Sequence, residues 1–88
     1  MIRRRVVVHG RVQGVFFRDA TQRMASSRGV AGWVRNRPDG TVEAAFEGDP
    51  DAVVAMIRFC ELGPTRAEVD RLEVREEDPE GIAGFTIA

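Results

Sequence analysis

An α+β fold with one antiparallel sheet is predicted for this chain of 88 residues from three observations. Several segments alternate between apolar and polar residues, which is typical of half-buried strands. Two further segments carry apolar residues at helical spacing. Glycine and proline separate all of these segments and give the order β-α-β-β-α-β, followed by a short C-terminal strand. That order predicts a ferredoxin-like βαββαβ sandwich with both helices on one face of the sheet.

The first half of the chain contains a predicted strand over residues 2–10, a helix over 17–28 and a strand over 30–35. Val6 and Val8 share one face of the first strand, so that face should be buried. The helix carries apolar residues at helical spacing and ends before a glycine, which is a common helix stop.

A hairpin is predicted next, because Pro38-Asp39-Gly40 is a strong turn signal and alternation resumes over residues 41–47. A second helix begins at Asp49-Pro50, where an N-cap residue precedes a proline suited to the first helical turn. Gly63-Pro64 ends this helix.

The last predicted elements are a strand over residues 67–77 and a short strand over 85–87. Val69 and Leu72 fall out of strict alternation, which indicates a β-bulge near Asp70.

Composition restricts the class of protein. Residues 1–88 are long enough for one domain with one core, and 43% hydrophobic and 31% charged residues are typical of a soluble globular chain. The net charge of −1 gives no general electrostatic reason to expect nucleic acid or membrane binding. The single cysteine, Cys60, excludes an internal disulfide. No stretch resembles a signal peptide or a membrane span, so we expect a cytoplasmic protein. We also expect it to be a monomer.

The segment from Gly10 to Arg18 is the strongest functional signal. It runs from a strand through a loop with two glycines to the start of a helix. Glycines allow backbone N–H groups to converge, and a helix N-terminus adds partial positive charge. Arg18 adds a planar cation that the helix dipole disfavours there, and a bound anion would repair that mismatch. These features predict a phosphate or similar anion site; the alternative is a tight connection that merely requires glycine.

Asn36 is predicted to lie close to Arg18. The first and second strands run parallel because a right-handed helical crossover joins them, so their C-terminal ends share one edge of the sheet. Asn36 follows the second strand and has the same side-chain phase as Val34. If Val34 faces the helices, the Asn36 amide points toward the start of the first helix. On local grounds alone, Asn36 could instead begin the hairpin turn.

Other polar and reactive residues have structural explanations. We expect His9 and Trp33 on the open face of the sheet, and Cys60 buried as a small hydrophobe. Asp19 suits the first turn of a helix because the dipole favours a negative charge there. The arginine run at residues 3–5 is expected to be a solvated strand end, and the acidic residues of 76–80 a solvated loop.

Two segments together resemble the acylphosphatase family. Gly10 to Arg18 matches the family pattern G-x-V-Q-G-V-x-F-R at every specified position, and Gly32 to Asn36 matches G-W-V-x-N. The turn at Pro38-Asp39-Gly40 also agrees with the family. The likeness covers essentially the whole chain, and two signatures in the right order are highly specific.

The resemblance implies hydrolysis of acyl phosphates to a carboxylate and inorganic phosphate. It implies that Arg18 binds the substrate phosphate, that Asn36 positions the attacking water, and that backbone amides cradle the phosphate. No cofactor or metal is implied. One departure is the C-terminal end, which lacks the basic or tyrosine residue of many relatives. The resemblance implies that the amides of the cradle are those of Gln13, Gly14, Val15 and Phe16.

Two other classes of function remain open from the sequence. One is a non-catalytic module that binds an anion, because a fold alone does not define an activity. The other is RNA recognition, since related βαββαβ folds stack bases on sheet aromatics. The first and third strands offer no aromatic pair on the open face, and the net charge is negative, so we expect no nucleic-acid partner.

Overall fold

A computed structural model describes residues 1–88 and has the element order β-α-β-β-α-β-β, which confirms the predicted fold class. The final strand is short, as expected. The bounds are β1 (Ile2–Arg11), α1 (Phe17–Ser27), β2 (Ala31–Asn36), β3 (Val42–Gly48), α2 (Pro50–Leu62), β4 (Glu68–Glu77) and β5 (Phe85–Ile87).

All five strands form one sheet in the order β4-β1-β3-β2-β5. The first four strands pair antiparallel, whereas β5 adds to β2 in parallel, so the complete sheet is mixed. β3 lies between β1 and β2. The C-terminal ends of β1 and β2 therefore lie at the same edge of the sheet.

The predicted bulge is present at Asp70. Opposite β1, the register passes from His9–Arg71 directly to Gly10–Val69, which leaves Asp70 as the extra residue. Gly10 has φ +129°, and a Cβ atom there would lie 2.1 Å from the carbonyl oxygen of Glu68. Only glycine fits this close approach, which occurs just before β1 gives way to the loop that leads to α1.

Both helices pack on one face of the sheet and bury its apolar side chains. Asp49 precedes α2 as predicted, but its carboxylate makes no capping hydrogen bond. Cys60 is fully buried in this core, and its burial raises the pKa of the thiol to about 12. The thiol is therefore an unreactive small hydrophobe, as expected. The core includes Val6, Val8, Val34, Val42, Phe46, Phe17, Ala25, Val53 and Met56.

The open face of the sheet, away from the helices, is covered by ion pairs. Arg3 and Glu47 are each 1% exposed and pair with each other, and Arg3 also bonds Glu77 (Nε–Oε1 3.0 Å). Arg5 pairs with Glu43 at 3.2 Å. The expectation of a solvated arginine run is thus wrong for Arg3, which is buried. Arg3 lies on the open face, and the residues that cover it there come from distant parts of the chain.

Glu47 ties the connection between β4 and β5 to the middle of the sheet. Its carboxylate accepts backbone N–H bonds from Glu80 (2.8 Å) and Gly81 (2.9 Å) and a bond from Arg3 (3.3 Å). The Glu80 N–H bond, with those from Gly81 and Arg3, holds the pKa of Glu47 below its usual range. The connection before β5 is therefore held by a charged group at the centre of the sheet.

Trp33 covers part of the open face, as predicted. The guanidinium carbons of Arg5 and Arg35 lie 5.0 and 5.7 Å from the centre of its ring, within the range of cation–π contact. His9 also lies on this face and bonds Glu73 of the neighbouring strand. The aromatic surface of this face is thus one ring that two arginines already contact.

We expect acid to weaken the fold through Glu47. A carboxylate whose pKa is lower in the folded than in the unfolded chain stabilises the fold above the unfolded pKa, near about 4.3. That stability is lost as the pH falls through the folded pKa. Glu47→Gln should therefore have a lower urea midpoint than the parent at pH 7, and the two midpoints should approach each other in acid, as the pH falls through the folded pKa of Glu47.

The matched control for Glu47→Gln is Glu76→Gln. Glu76 is a carboxylate of β4 that is 84% exposed and forms a salt bridge with Arg4, and an exposed pair contributes little to stability. Its midpoint should follow that of the parent protein at pH 7 and in acid. Equal midpoints of Glu47→Gln and the parent at pH 7 would contradict this role of the buried carboxylate.

Candidate active site

A pocket of about 350 Å³ opens at the edge of the sheet where β1 and β2 end. The loop between β1 and α1, the first turn of α1, the end of β2 and the end of β5 form its wall. The pocket therefore lies where the connectivity places the two strand ends. Its lining residues are Val12, Gly14, Phe16, Phe17, Arg18, Asp19, Asn36 and Ile87.

The loop before α1 has a backbone suited to an anion. Gly14 has φ +73°, and Phe16 has φ +61°, the one non-glycine residue with a positive φ. A left-handed residue other than glycine costs about 1–2 kcal/mol, and such strain persists where the surrounding structure holds it. Phe16 is also the N-cap of α1, and no side chain caps this helix. Backbone N–H groups of the first turn are therefore left without a side-chain acceptor.

Arg18 lies in the first turn of α1, partly exposed, and lines the pocket. It forms no salt bridge and no side-chain hydrogen bond within the chain. Arg3 and Arg5, in contrast, both bind carboxylates. Arg18 lies at the positive end of the helix dipole, so its charge adds to that of the helix N-terminus, and no carboxylate of the chain pairs with it.

Asn36, the last residue of β2, lines the same pocket as Arg18, so the structure brings these two predicted residues together. Its carboxamide makes no hydrogen bond within the chain. The turn that follows is closed by other groups, since Arg37 N–H bonds the Thr41 carbonyl and the Asp39 carboxylate bonds the Thr41 N–H and hydroxyl. The turn therefore does not use the side chain of Asn36, which is left available to a ligand.

Gln13 and Val15, two of the predicted cradle residues, do not line the pocket. The Gln13 carboxamide donates to the backbone carbonyls of Arg37 (2.8 Å) and Thr41 (2.9 Å). Val15 turns its side chain into the core and is 5% exposed. Gly14 and Phe16 do lie in the wall. Participation of the four backbone amides in anion binding stays a prediction.

Ile87 is a pocket residue that the sequence analysis missed. It lies on β5, pairs in register with Val34 of β2, and is 37% exposed. A signal was available, because Ile87 shares the side-chain phase of the buried Phe85 and so faces the helices. What the pattern did not reveal was the parallel pairing of β5 beside β2, which brings Ile87 next to the site.

The wall combines one cation, one carboxamide and an apolar surface. Asp19 is the single carboxylate in it and is exposed in the first turn of α1, as predicted. Val12, Phe16 and Ile87 supply apolar area. Nowhere in the chain do three His, Cys, Asp or Glu side chains come together as a group that could hold a metal ion. The pocket has the groups to hold an oxyanion and a polar molecule side by side.

The fold and pocket define a class of small α+β proteins with a pocket between the first helix and the end of the second strand. The acylphosphatase family model matches residues 4–87. An acylphosphatase of Rubrobacter xylanophilus is 56% identical over 84 residues, covering 94% of this chain and 76% of that protein. One from Thermococcus kodakarensis is 52% identical over 86 residues, covering 98% and 94%.

A solved structure of an acylphosphatase from Bacillus subtilis superposes with a TM-score of 0.96 at 39% identity, covering 100% of this chain and 99% of that one. The chain belongs to the acylphosphatase family. This membership confirms the resemblance and supports enzymatic hydrolysis of acyl phosphates, which are small-molecule substrates. No helix has the length and apolar character needed to cross a membrane.

Proposed function

We propose that this chain hydrolyses acyl phosphates by in-line attack of water on phosphorus, with Arg18 binding the phosphate and Asn36 orienting the water. One observation carries the proposal: Arg18 and Asn36 line the same pocket, and neither side chain has a partner in the chain. A guanidinium presents a planar fork of donors that suits phosphate oxygens. A carboxamide both donates and accepts, which suits a water molecule.

The reaction forms one bond to phosphorus and breaks another. The water oxygen bonds to phosphorus as the bond from phosphorus to the acyl oxygen breaks and its electron pair leaves on the carboxylate. The proton of the water passes to an oxygen of the phosphate itself, and the products are a carboxylate and inorganic phosphate. Arg18 and the amides of residues 13–16 stabilise charge on the phosphate oxygens, and Asn36 holds the water in line.

The choice of an acyl phosphate follows from the leaving group. A carboxylate is the conjugate base of an acid with a pKa of about 4, so it departs without a general acid. A phosphomonoester would expel a much more basic alkoxide and would need an acid or a metal ion. The proposed mechanism uses positioning and electrostatic stabilisation alone, which carry most of phosphoryl-transfer catalysis.

The experiment that tests this proposal measures phosphate release from acetyl phosphate and from a phosphomonoester, each with and without a metal chelator. We expect turnover of the acyl phosphate that the chelator does not change, and turnover of the phosphomonoester lower by at least about 10³-fold, because no acid assists its alkoxide. Loss of acyl phosphate turnover in the chelator would overturn the metal-free mechanism. Absence of turnover above the spontaneous rate would overturn the function and favour a non-catalytic anion-binding module.

The proposal includes binding of inorganic phosphate as a product and competitive inhibitor, since the same groups would hold it.

All of the proposed site residues come from one chain, which supports action as a monomer. Sedimentation of the purified protein tests the monomeric state. A cytoplasmic location stays a prediction from the sequence.

A further inference from the structure

We propose that Gln13 is a positioning residue that couples the anion loop to the turn after Asn36. By anion loop we mean residues 12–16, between β1 and α1. This inference rests on the proposed function, because it concerns how the water held by Asn36 is placed against the phosphate held by Arg18. The side chain of Gln13 touches neither group and acts through the backbone of the turn.

The geometry uses both donors of one carboxamide. Gln13 Nε2 lies 2.8 Å from the carbonyl oxygen of Arg37 and 2.9 Å from that of Thr41. A carboxamide nitrogen carries two hydrogens, so its full donor capacity is spent on these two carbonyls. Gln13 and these partners are 24 and 28 residues apart along the chain, so the bonds join two separate segments.

The turn closes without Gln13. Arg37 N–H bonds the Thr41 carbonyl at 2.9 Å, Gly40 N–H bonds the Arg37 carbonyl at 3.1 Å, and the Asp39 carboxylate bonds Thr41. What Gln13 adds is a link from this closed turn to the anion loop. No other side-chain hydrogen bond joins residues 12–16 to residues 37–41.

The position of Asn36 makes this link relevant to the reaction. Asn36 immediately precedes the turn, and Gln13 immediately precedes Gly14, where the loop backbone becomes left-handed. Any relative movement of the two segments changes the distance between the Asn36 carboxamide and an anion in the loop. A displacement of about 1 Å in a reacting group costs about 10²-fold in rate, so even a partial shift should be measurable.

The test compares Gln13→Glu and Gln13→Ala with the parent protein for kcat, KM and the competitive inhibition constant of inorganic phosphate. A glutamate has nearly the same shape but presents only acceptors to the two carbonyls when ionised. We expect kcat to fall by about tenfold in both variants. This value lies between no change and the loss of about 10²-fold that a displacement of the reacting groups by about 1 Å would cause. In Gln13→Ala the inhibition constant of phosphate should stay within about twofold, because Arg18 and its loop are retained. In Gln13→Glu the added carboxylate should weaken phosphate binding as well.

The matched control is Gln22→Glu. Gln22 lies in α1 and is the other glutamine of the chain. Its Nε2 also donates to a backbone carbonyl, and lies 3.2 Å from the carbonyl oxygen of Phe85. It does not line the pocket. Its variant loses the same kind of bond without uncoupling the two segments, so its kcat should match that of the parent.

A double-mutant cycle separates positioning from general stabilisation. If Gln13 acts through Asn36, then Gln13→Ala should have no further effect on kcat in an Asn36→Ala background. Multiplicative losses would overturn the inference, as would a parent-like kcat in both Gln13 variants. Loss of phosphate binding in folded Gln13→Ala, or unfolding of that variant without denaturant, would also overturn it, because Gln13 would then serve the anion loop or the fold. Lack of turnover in the parent protein would instead overturn the proposed function.

Discussion

Replacing Arg18 with lysine is expected to lower kcat/KM for an acyl phosphate by about 10³-fold or more, the scale of an arginine that stabilises a phosphoryl transition state. Lysine keeps the positive charge but loses the planar fork that binds two phosphate oxygens at once. The free energy of unfolding should change by less than about 0.5 kcal/mol, because Arg18 has no ionic or hydrogen-bonded partner in the chain. Initial rates of phosphate release and urea unfolding measure the two quantities.

Arg18→Ala extends the same argument to stability. A cation at the N-terminus of a helix opposes the dipole, so removal of Arg18 should keep the stability or raise it by about 0.3–1 kcal/mol. Arg23→Ala is the matched control, since Arg23 is an exposed arginine of the same helix that lies outside the pocket. Its turnover should equal that of the parent. Parent-like turnover in Arg18→Ala would remove the basis of the proposed mechanism.

The order of the elements could be predicted because each carries a local signal. Alternating valines mark β1, the Pro38-Asp39-Gly40 turn marks the hairpin, and Asp49-Pro50 marks the start of α2. Connectivity rules then place β3 between β1 and β2, and this placement brings Arg18 and Asn36 to one edge. Those inferences need only the local pattern and the handedness of a crossover.

The burial of Arg3 could not be predicted in the same way. Alternation assigns Arg3 to the open face, and an open face next to solvent suggests a solvated side chain. Arg3 pairs with Glu47 of β3, and the backbone N–H groups of Glu80 and Gly81 bond to the same Glu47 carboxylate. The segment that helps to bury Arg3 therefore lies more than seventy residues further along the chain. A single sequence holds no local signal for that long-range arrangement.

The side chain of Gln13 shows a similar limit at the site. The glycines on either side of Gln13 predict a loop whose backbone amides turn toward an anion, so the sequence predicts a role for the Gln13 amide and none for its side chain. Its carboxamide instead bonds carbonyls of a turn more than twenty residues away. The bond partner of the Gln13 carboxamide depends on how closely the loop and the turn approach each other in the fold. The sequence pattern does not contain that distance.

Replacing Asn36 with alanine is expected to lower kcat by about 10²–10³-fold, the cost of removing one group that stabilises or orients the reacting atoms. KM and the inhibition constant of inorganic phosphate should stay within about twofold, since the proposed role of Asn36 concerns the water and not the phosphate. Its carboxamide has no partner within the chain, so the stability should change little. Steady-state rates with phosphate as a competitive inhibitor measure all three constants.

Arg37→Ala is the control on the adjacent residue. The Arg37 side chain lies in a groove of the open face with Arg5 and Arg35, on the other side of the sheet from the pocket, so its removal should leave kcat unchanged. Asn36→Asp adds a second comparison, because a carboxylate near the anion should weaken phosphate binding as well as turnover. If Asn36→Ala instead kept its kcat and raised KM and the phosphate constant together, Asn36 would bind the phosphate group, and the water would need another partner.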